Sequence, residues 1–465
     1  MSRWNLAWLL GLPSVVIIGL TIAFCAPRGN KNQEQHYELQ KLLVDVLAEV
    51  DDNYVRELTP EQRQKLVEDM INGGLERLDP YSAYFNADDF KAFEKSSEGT
   101  FGGVGIQINI DRQTGLLQVT SPMVGTPAYE AGILAGDLIL KVDGKSLENV
   151  RTNEIIKMIQ GEPGTEVTLT VLHEGSKEPV DYTLRRAKIE IEAVMADQRK
   201  PDNPAEWDFV IDKTNRIAYV RLIAFNEHAS ADLRKVIEKL EREQHIRGLV
   251  LDLRDNPGGL LSAAVEISDM FLDTGKIVTL RDRQGHEKAY EAKSSGTLLE
   301  PASAHPVAIL INRYSASASE IVSAALQDNN RAVVVGERSY GKGSVQNIIR
   351  LPNHEPPVAL KLTTASYWRP SGANIHRHMD MKETDVWGVK PSPGFDVKLT
   401  DAERYQYLSW RRQRDIVQGK PGAVPAKPEK SEKDSAKEST KESAAFHDRV
   451  LEKALDYIRG ELNKS

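Results

Sequence analysis

Five small residues, Ser315-Ala316-Ser317-Ala318-Ser319, join the end of an apolar run to the start of a helical pattern. A serine on such a turn sits beside the free amides of the helix N-terminus, and those amides can stabilise an oxyanion. The same serines can instead do no more than cap the helix, and local chemistry does not choose between the two. Lys342 stands alone between Gly341 and Gly343 after the apolar run Val333-Val334-Val335. A lysine acts as a general base only where desolvation or a neighbouring cation lowers its pKa. A surface lysine in a glycine turn is the ordinary alternative. It is the combination of the two segments that points to nucleophilic catalysis.

Other chemistries fit less well. Gly336 to Gly343 nearly spells a phosphate-binding loop, with four residues between Gly336 and Gly341-Lys342. That loop needs Ser or Thr directly after the lysine and then a helix, whereas Gly343 intervenes and residues 344–349 read as a strand. Nucleotide binding is therefore rejected. The ten histidines are scattered outside any nucleophile or metal motif. His376 and His378 could pair on a metal, but a surface loop is the ordinary reading. The single cysteine, Cys25, excludes an intrachain disulfide and a cysteine zinc site. No metal and no organic cofactor is expected. With 60 basic and 68 acidic residues spread along the chain and a net charge of −8, nucleic acid is not an expected partner.

The elements that must position these residues follow from periodicity. Residues 190–420 alternate apolar strands and amphipathic helices, the signature of an α/β sheet with covering helices. Residues 98–189 are short strands with turns and one or two helices, which suits a small, partly open β-barrel. Residues 34–97 are helical, and Thr59, Pro60 and Gln62 spell a capping signature. Residues 421–445 are rich in Lys, Glu, Ser, Pro and Ala and read as a disordered linker, followed by a helical stripe at 446–465. At the other end, residues 1–33 hold an uncharged run at 4–27 that reads as a signal anchor, with a cleaved signal peptide as the alternative.

Several motifs in order, SASASE at Ser315, AALQD after it, GKGSVQ at Gly341, LDLRDNPGG at Leu251 and KLTTASYWRPSG at Lys361, resemble the carboxyl-terminal processing, or tail-specific, proteases of bacteria and plastids. The resemblance covers about residues 37–392. It implies Ser317 as nucleophile, Lys342 as general base, and Gln346 as the residue that orients the lysine. It implies an oxyanion hole from the amide of Ala318 and that of Gly258 or Gly259. A glycine turn leaving a buried strand is where a bare amide can face substrate, and the choice between the two stays open. Asp328 matches an acidic position that matters for activity or folding in some members. The small barrel resembles a PDZ domain, whose carboxylate loop corresponds to Gly103, Val104, Gly105 and Ile106. Two departures stand out. Tyr81 occupies a position where many relatives carry His, a departure expected to lie outside the chemistry, and Gln160 stands where some members with a gating PDZ domain have Arg.

The expected fold is multidomain α/β: a crotonase/ClpP-like protease core with N-terminal helices and an inserted PDZ β-barrel. The expected function is a serine endopeptidase with a Ser-Lys dyad, cleaving exported proteins whose accessible C-terminal tails are read by the PDZ domain. The alternative is a catalytically silent, membrane-anchored PDZ scaffold. The resemblance places the protein in the periplasm or on the periplasmic side of the inner membrane, and it leaves room for an adaptor protein and a homo-oligomer.

Overall fold

A computed structural model describes residues 31–110, 115–420 and 446–464. The expected anchor at 4–27 and the linker at 421–445 lie outside the described residues. Among the described residues no helix is long and apolar enough to cross a membrane. The chain divides into two units, Met1–Gly74 and Leu75–Ser465. The first holds the helix Lys31–Asn53 and most of Pro60–Glu76. The capping signature forms as written: the Thr59 amide donates to Gln62 Oε1 at 3.0 Å, and the Gln62 amide to Thr59 Oγ1 at 3.3 Å.

In the second unit the central sheet runs in the order Val194–Met195, Ile217–Leu222, Gly248–Asp252, Val307–Ile311, Ala332–Gly336. The last four strands are mutually parallel. Their sequences are nearly continuous apolar runs because both faces are covered. Alternate residues divide between two cores. Ala218, Val220, Leu249, Leu251, Val307 and Ile309 pack against the helices Ala229–Gln244, Leu261–Asp269 and Ala318–Asp328. Ile217, Tyr219, Val250, Ala308 and Leu310 pack against the C-terminal helix Arg449–Leu462 through Val450, Leu451, Ala454, Ile458 and Leu462. The stripe read at 446–465 thus closes the second face of the sheet.

That helix is also tied by charge. Its N-cap, Asp448, takes two hydrogen bonds from the Arg254 guanidinium at 3.0 and 2.8 Å, and Arg254 also grips Asp252 at 2.6 Å. All three side chains are buried. Burial pushes Asp252 up, but Arg254 outweighs it and holds the carboxyl below its ordinary value. Removing one member of such a cluster leaves an under-compensated charge, so Asp448→Ala is expected to lower stability by about 3 kcal/mol. A lowered urea midpoint with an unchanged slope checks this.

A second, antiparallel sheet pairs Ala359–Trp368 with Ala83–Phe85, Lys276–Asp282 and Ser344–Arg350. It carries the segment that follows Lys342. Residues 106–185 form a third sheet in the order Ile106–Ile110, Leu117–Pro122, Leu138–Val142, Glu166–Leu172, Val180–Arg185, closed over Ile155 and Ile159 of the helix Thr152–Ile159. Thr100–Gly103 pairs with Ala187–Glu190, so the chain enters and leaves this module side by side. The segment after the helix Asp401–Asp415 holds it from another side: the Val417 amide donates to Ser121 Oγ at 2.9 Å, and the Ala135 amide to the Gln418 carbonyl at 3.1 Å.

Candidate active site

The turn between Val307–Ile311 and Ala318–Asp328 places Ser317 immediately before the helix. Ser317 has φ 57° and ψ −114°, a conformation that costs a non-glycine residue about 1–3 kcal/mol and persists only where the surroundings impose it. The surroundings do. Ser315 Oγ donates to the Leu253 carbonyl at 2.8 Å and accepts from the Asn312 amide at 2.9 Å. Ser319 Oγ donates to the Asn256 carbonyl at 3.0 Å. Both outer serines are fully buried in these roles. They bolt the turn to the neighbouring glycine turn, and the middle hydroxyl faces the buried Tyr367 phenol. Burial pushes that phenol up to about 12, opposed by its hydrogen-bonding interaction with Ser317.

The glycine turn leaves the strand Gly248–Asp252. Asn256 Nδ2 donates to the Leu222 carbonyl at 2.6 Å, and its Oδ1 takes the Gly258 amide at 2.8 Å. Gly258 has φ 97°, and a Cβ there would lie 2.7 Å from the Ala316 carbonyl oxygen and 2.9 Å from the Ala318 amide nitrogen. Gly259 has φ 150°, and a Cβ would lie 2.2 Å from the Phe225 carbonyl oxygen. Each glycine therefore has its own steric reason. Among the described residues, the amides of Ala318 and Gly259 have no hydrogen-bond partner, whereas that of Gly258 is engaged. Gly258→Ala would wedge the two turns apart, and turnover is expected to fall roughly 100- to 1,000-fold, as when one oxyanion donor is removed; kcat on a peptide substrate measures it.

Lys342 lies in a loop whose glycines allow close packing. A Cβ on Gly341 would lie 2.7 Å from Arg377 Cβ, and one on Gly343 would lie 2.2 Å from the His376 amide nitrogen. One buried carboxylate joins this loop to the serine turn. Glu320 Oε2 takes the Ser317 amide and the Lys342 amide, each at 2.8 Å. Oε1 takes the Ser339 hydroxyl at 2.6 Å and the Gly341 amide at 2.7 Å. Burial raises the Glu320 pKa against these four donors. The Tyr340 amide adds a bond to the Ser315 carbonyl at 3.0 Å.

The lysine side chain is partly buried. Burial, and then the nearby Lys361, lower its pKa, while Glu320 and Asp79 oppose the shift. Its Nζ lies 4.6 Å from the centroid of the Tyr81 ring. Among the described residues no hydrogen bond joins Ser317 Oγ to Lys342 Nζ. The fold brings the two backbone positions to one carboxylate, and the lysine Nζ lies over the Tyr81 ring.

The remaining sites predicted from sequence are distributed as follows. Gln346 Nε2 donates to Ser344 Oγ at 2.9 Å and to Thr363 Oγ1 at 3.0 Å, with no bond to Lys342. Asp328, at the far end of the serine helix, accepts from Arg369 at 2.9 and 2.5 Å and from the Ser371 amide at 3.0 Å. Burial pushes its carboxyl up, but those donors hold it below its ordinary value. Gly103, Val104 and Gly105 lead into Ile106–Ile110, whose outer edge pairs with no strand among the described residues. The Gly105 carbonyl accepts from Met123 and Thr126, and the Val104 carbonyl from Ala128. The His376 and His378 rings meet edge to face at 4.7 Å, and among the described residues no group of three metal-ligating side chains converges. The sequence singles out Tyr81 only as a departure from the family pattern and sets it outside the chemistry, and Glu320 and Tyr367 are the site residues that sequence reasoning missed. Only Glu320 left a signal, its spacing of three residues after Ser317 in a capping-box pattern.

The profile of Peptidase family S41 matches residues 216–391, and that of a PDZ domain matches residues 118–172. The chain belongs to the S41 peptidases and is a serine-type peptidase that carries a PDZ domain. It is 37% identical over 402 residues to the carboxy-terminal-processing protease of Bartonella bacilliformis, covering 85% of this chain and 87% of that one. It is 32% identical over 390 residues to the carboxyl-terminal-processing protease of Synechocystis, covering 80% and 85%. Among solved structures, a photosystem II D1 C-terminal processing protease is similar at 28% identity and a TM-score of 0.42, with 81% of this chain and 91% of that one covered.

Proposed function

We propose that the protein is a C-terminal processing endopeptidase in which Ser317 is the nucleophile and Lys342 the general base. The observation that carries this reading is the Glu320 carboxylate, which holds the Ser317 and Lys342 amides on one oxygen. In the reaction, neutral Lys342 takes the Ser317 proton as the hydroxyl attacks the scissile carbonyl, then passes it to the leaving amine. Water hydrolyses the acyl-enzyme by the same route in reverse. The unengaged amides of Ala318 and Gly259 stabilise the oxyanion, and Gln346 and Asp328 support the lysine strand and the serine helix. The PDZ domain takes the substrate tail as an added strand on the free edge of Ile106–Ile110, with Gly103 to Ile106 as carboxylate loop. Substrates are exported proteins with accessible C-termini, met on the periplasmic side of the membrane to which residues 4–27 would anchor the chain.

The test is cleavage of an unfolded model protein by the full chain and by Ser317→Ala, with the substrate's C-terminal carboxylate free or amidated. Cleavage by wild type alone, slowed by amidation, supports the reading. Undiminished cleavage by Ser317→Ala sinks the nucleophile, and indifference to amidation sinks tail reading.

The lowered Lys342 pKa makes a further prediction. Activity needs the neutral amine, so kcat/KM should rise with pH and level off once the lysine has lost its proton. The midpoint of that limb should lie below the ordinary lysine value of 10.5. A pH–rate profile without such a limb contradicts the assignment.

A further inference from the structure

We propose that Tyr81 is a resting latch on the catalytic lysine: its ring face holds the Lys342 ammonium away from Ser317, and the dyad forms only when that contact opens. The inference rests on the Ser317–Lys342 reading above.

The latch is built into the fold. Asp79 Oδ1 takes the amides of Tyr81 and Ser82, both at 2.8 Å, and Asp79 Oδ2 takes the Ser82 hydroxyl at 2.7 Å. The Thr363 amide donates to Ser82 Oγ at 3.1 Å. The next strand, Ala83–Phe85, pairs with Ala359–Trp368 in a register that sets Ala83 opposite Lys361. The tyrosine is therefore pinned to the sheet that also carries the segment after Lys342, and its ring centroid lies 4.6 Å from Nζ. Burial, a hydrogen bond with Tyr340 and nearby negative charges push the Tyr81 phenol well above its ordinary value, so the ring stays neutral.

A ring face attracts an ammonium through its quadrupole and has no such hold on a neutral amine. The groups around Lys342 are Glu320 from the serine helix, Asp79 from the latch segment, Lys361 from the sheet, and the Tyr81 ring. Glu320 and Asp79 favour the ammonium, as the ring does, while Lys361 disfavours it. Proton loss and release from the ring are consequently one linked event. A protonated lysine rests on Tyr81, and a neutral lysine is free to reach the Ser317 hydroxyl. The arrangement keeps the peptidase idle until something displaces the segment at 79–82 or removes the proton.

The experiment compares the full chain with Tyr81→Leu and Tyr81→Phe. For each, kcat/KM on an unfolded protein substrate is followed through the ascending limb of the pH profile. Loss of the ring in Tyr81→Leu should move the midpoint down by about half to one pH unit and raise the rate below it about three- to tenfold. Tyr81→Phe, which keeps the ring face, should hold the wild-type midpoint. A Leu variant with the wild-type midpoint overturns the latch. Should the Leu variant be inactive, the Lys342 titration is read by NMR in Ser317→Ala with and without Tyr81→Leu, where an unshifted titration overturns it equally. Ser317→Ala and Lys342→Ala run alongside. Cleavage persisting in both removes the dyad and the latch together, whereas inactivity of both with an unshifted Leu midpoint removes the latch alone.

Discussion

Lys342→Ala is expected to lower kcat/KM by about 10,000-fold or more without unfolding the protein. The Ser317 hydroxyl then has no acceptor for its proton, and losses on that scale are what removing one member of an acyl-transfer unit produces. Lys342→Arg should fail as badly. A guanidinium does not give up its proton in a protein, and the loop is already crowded by Arg377 beside Gly341 and by His376 beside Gly343. Stability should respond in the opposite sense. The folded pKa of Lys342 is lowered from 10.5, so between the lowered value and 10.5 the unfolded chain binds more protons than the folded one. Wild-type stability therefore rises with pH across that window, and below it the buried ammonium is a net cost. Lys342→Ala removes both the cost and its share of the slope. Cleavage assays together with urea melts at several pH values decide the matter. A variant that loses activity only because it unfolds at neutral pH would contradict this account.

What the sequence disclosed was local chemistry. The serine turn, the lysine between two glycines and the glycine turn at 256–259 are each short segments whose residue types carry their own meaning. The sheet strands at 217–222, 248–252 and 307–311 were legible because burial on both faces demands unbroken apolar runs. In the antiparallel sheet, residues 344–349 read as a strand, but their partner Ala359–Trp368 was not legible. In Ala359–Trp368 only Ala359 and Tyr367 are buried, so its pattern is neither a clean alternation nor an apolar run.

Long-range pairing was hidden for the same reason. The stripe Val450, Leu451 and Ile458 announced an amphipathic helix, but its partners lie in strands far earlier in the chain, and nothing near Asp448 points to Arg254. Gln346 likewise donates its Nε2 to Ser344 and Thr363, pairings that a linear motif does not reveal. The three serines are the clearest gain from coordinates. Local chemistry left them equivalent as caps or nucleophiles and only the family resemblance singled out Ser317, whereas in the structure the backbone carbonyls of Leu253 and Asn256 occupy the outer two.

Glu320 is where the largest unforeseen effect is expected. The carboxylate is fully buried and serves four donors from two separate segments. Glu320→Ala leaves all four without an acceptor, and at about 1–3 kcal/mol for each unsatisfied buried donor the chain should unfold at room temperature or lie at its threshold. Glu320→Gln is the sharper probe. Its single carbonyl oxygen can satisfy two donors at most, and its NH2 group faces the remainder donor to donor. The serine turn and the lysine loop then lose the atom they share, and a displacement of about 1 Å at reacting groups costs about 100-fold in rate. The expected outcome is therefore a roughly 100-fold fall in kcat with KM little changed, because none of the four donors to Glu320 belongs to the PDZ module. Glu320→Asp should do no better, since a side chain one methylene shorter cannot span both segments. A Gln variant that keeps wild-type kcat would show that the two segments hold their positions without this carboxylate, and the bridge would lose its claim to align the site.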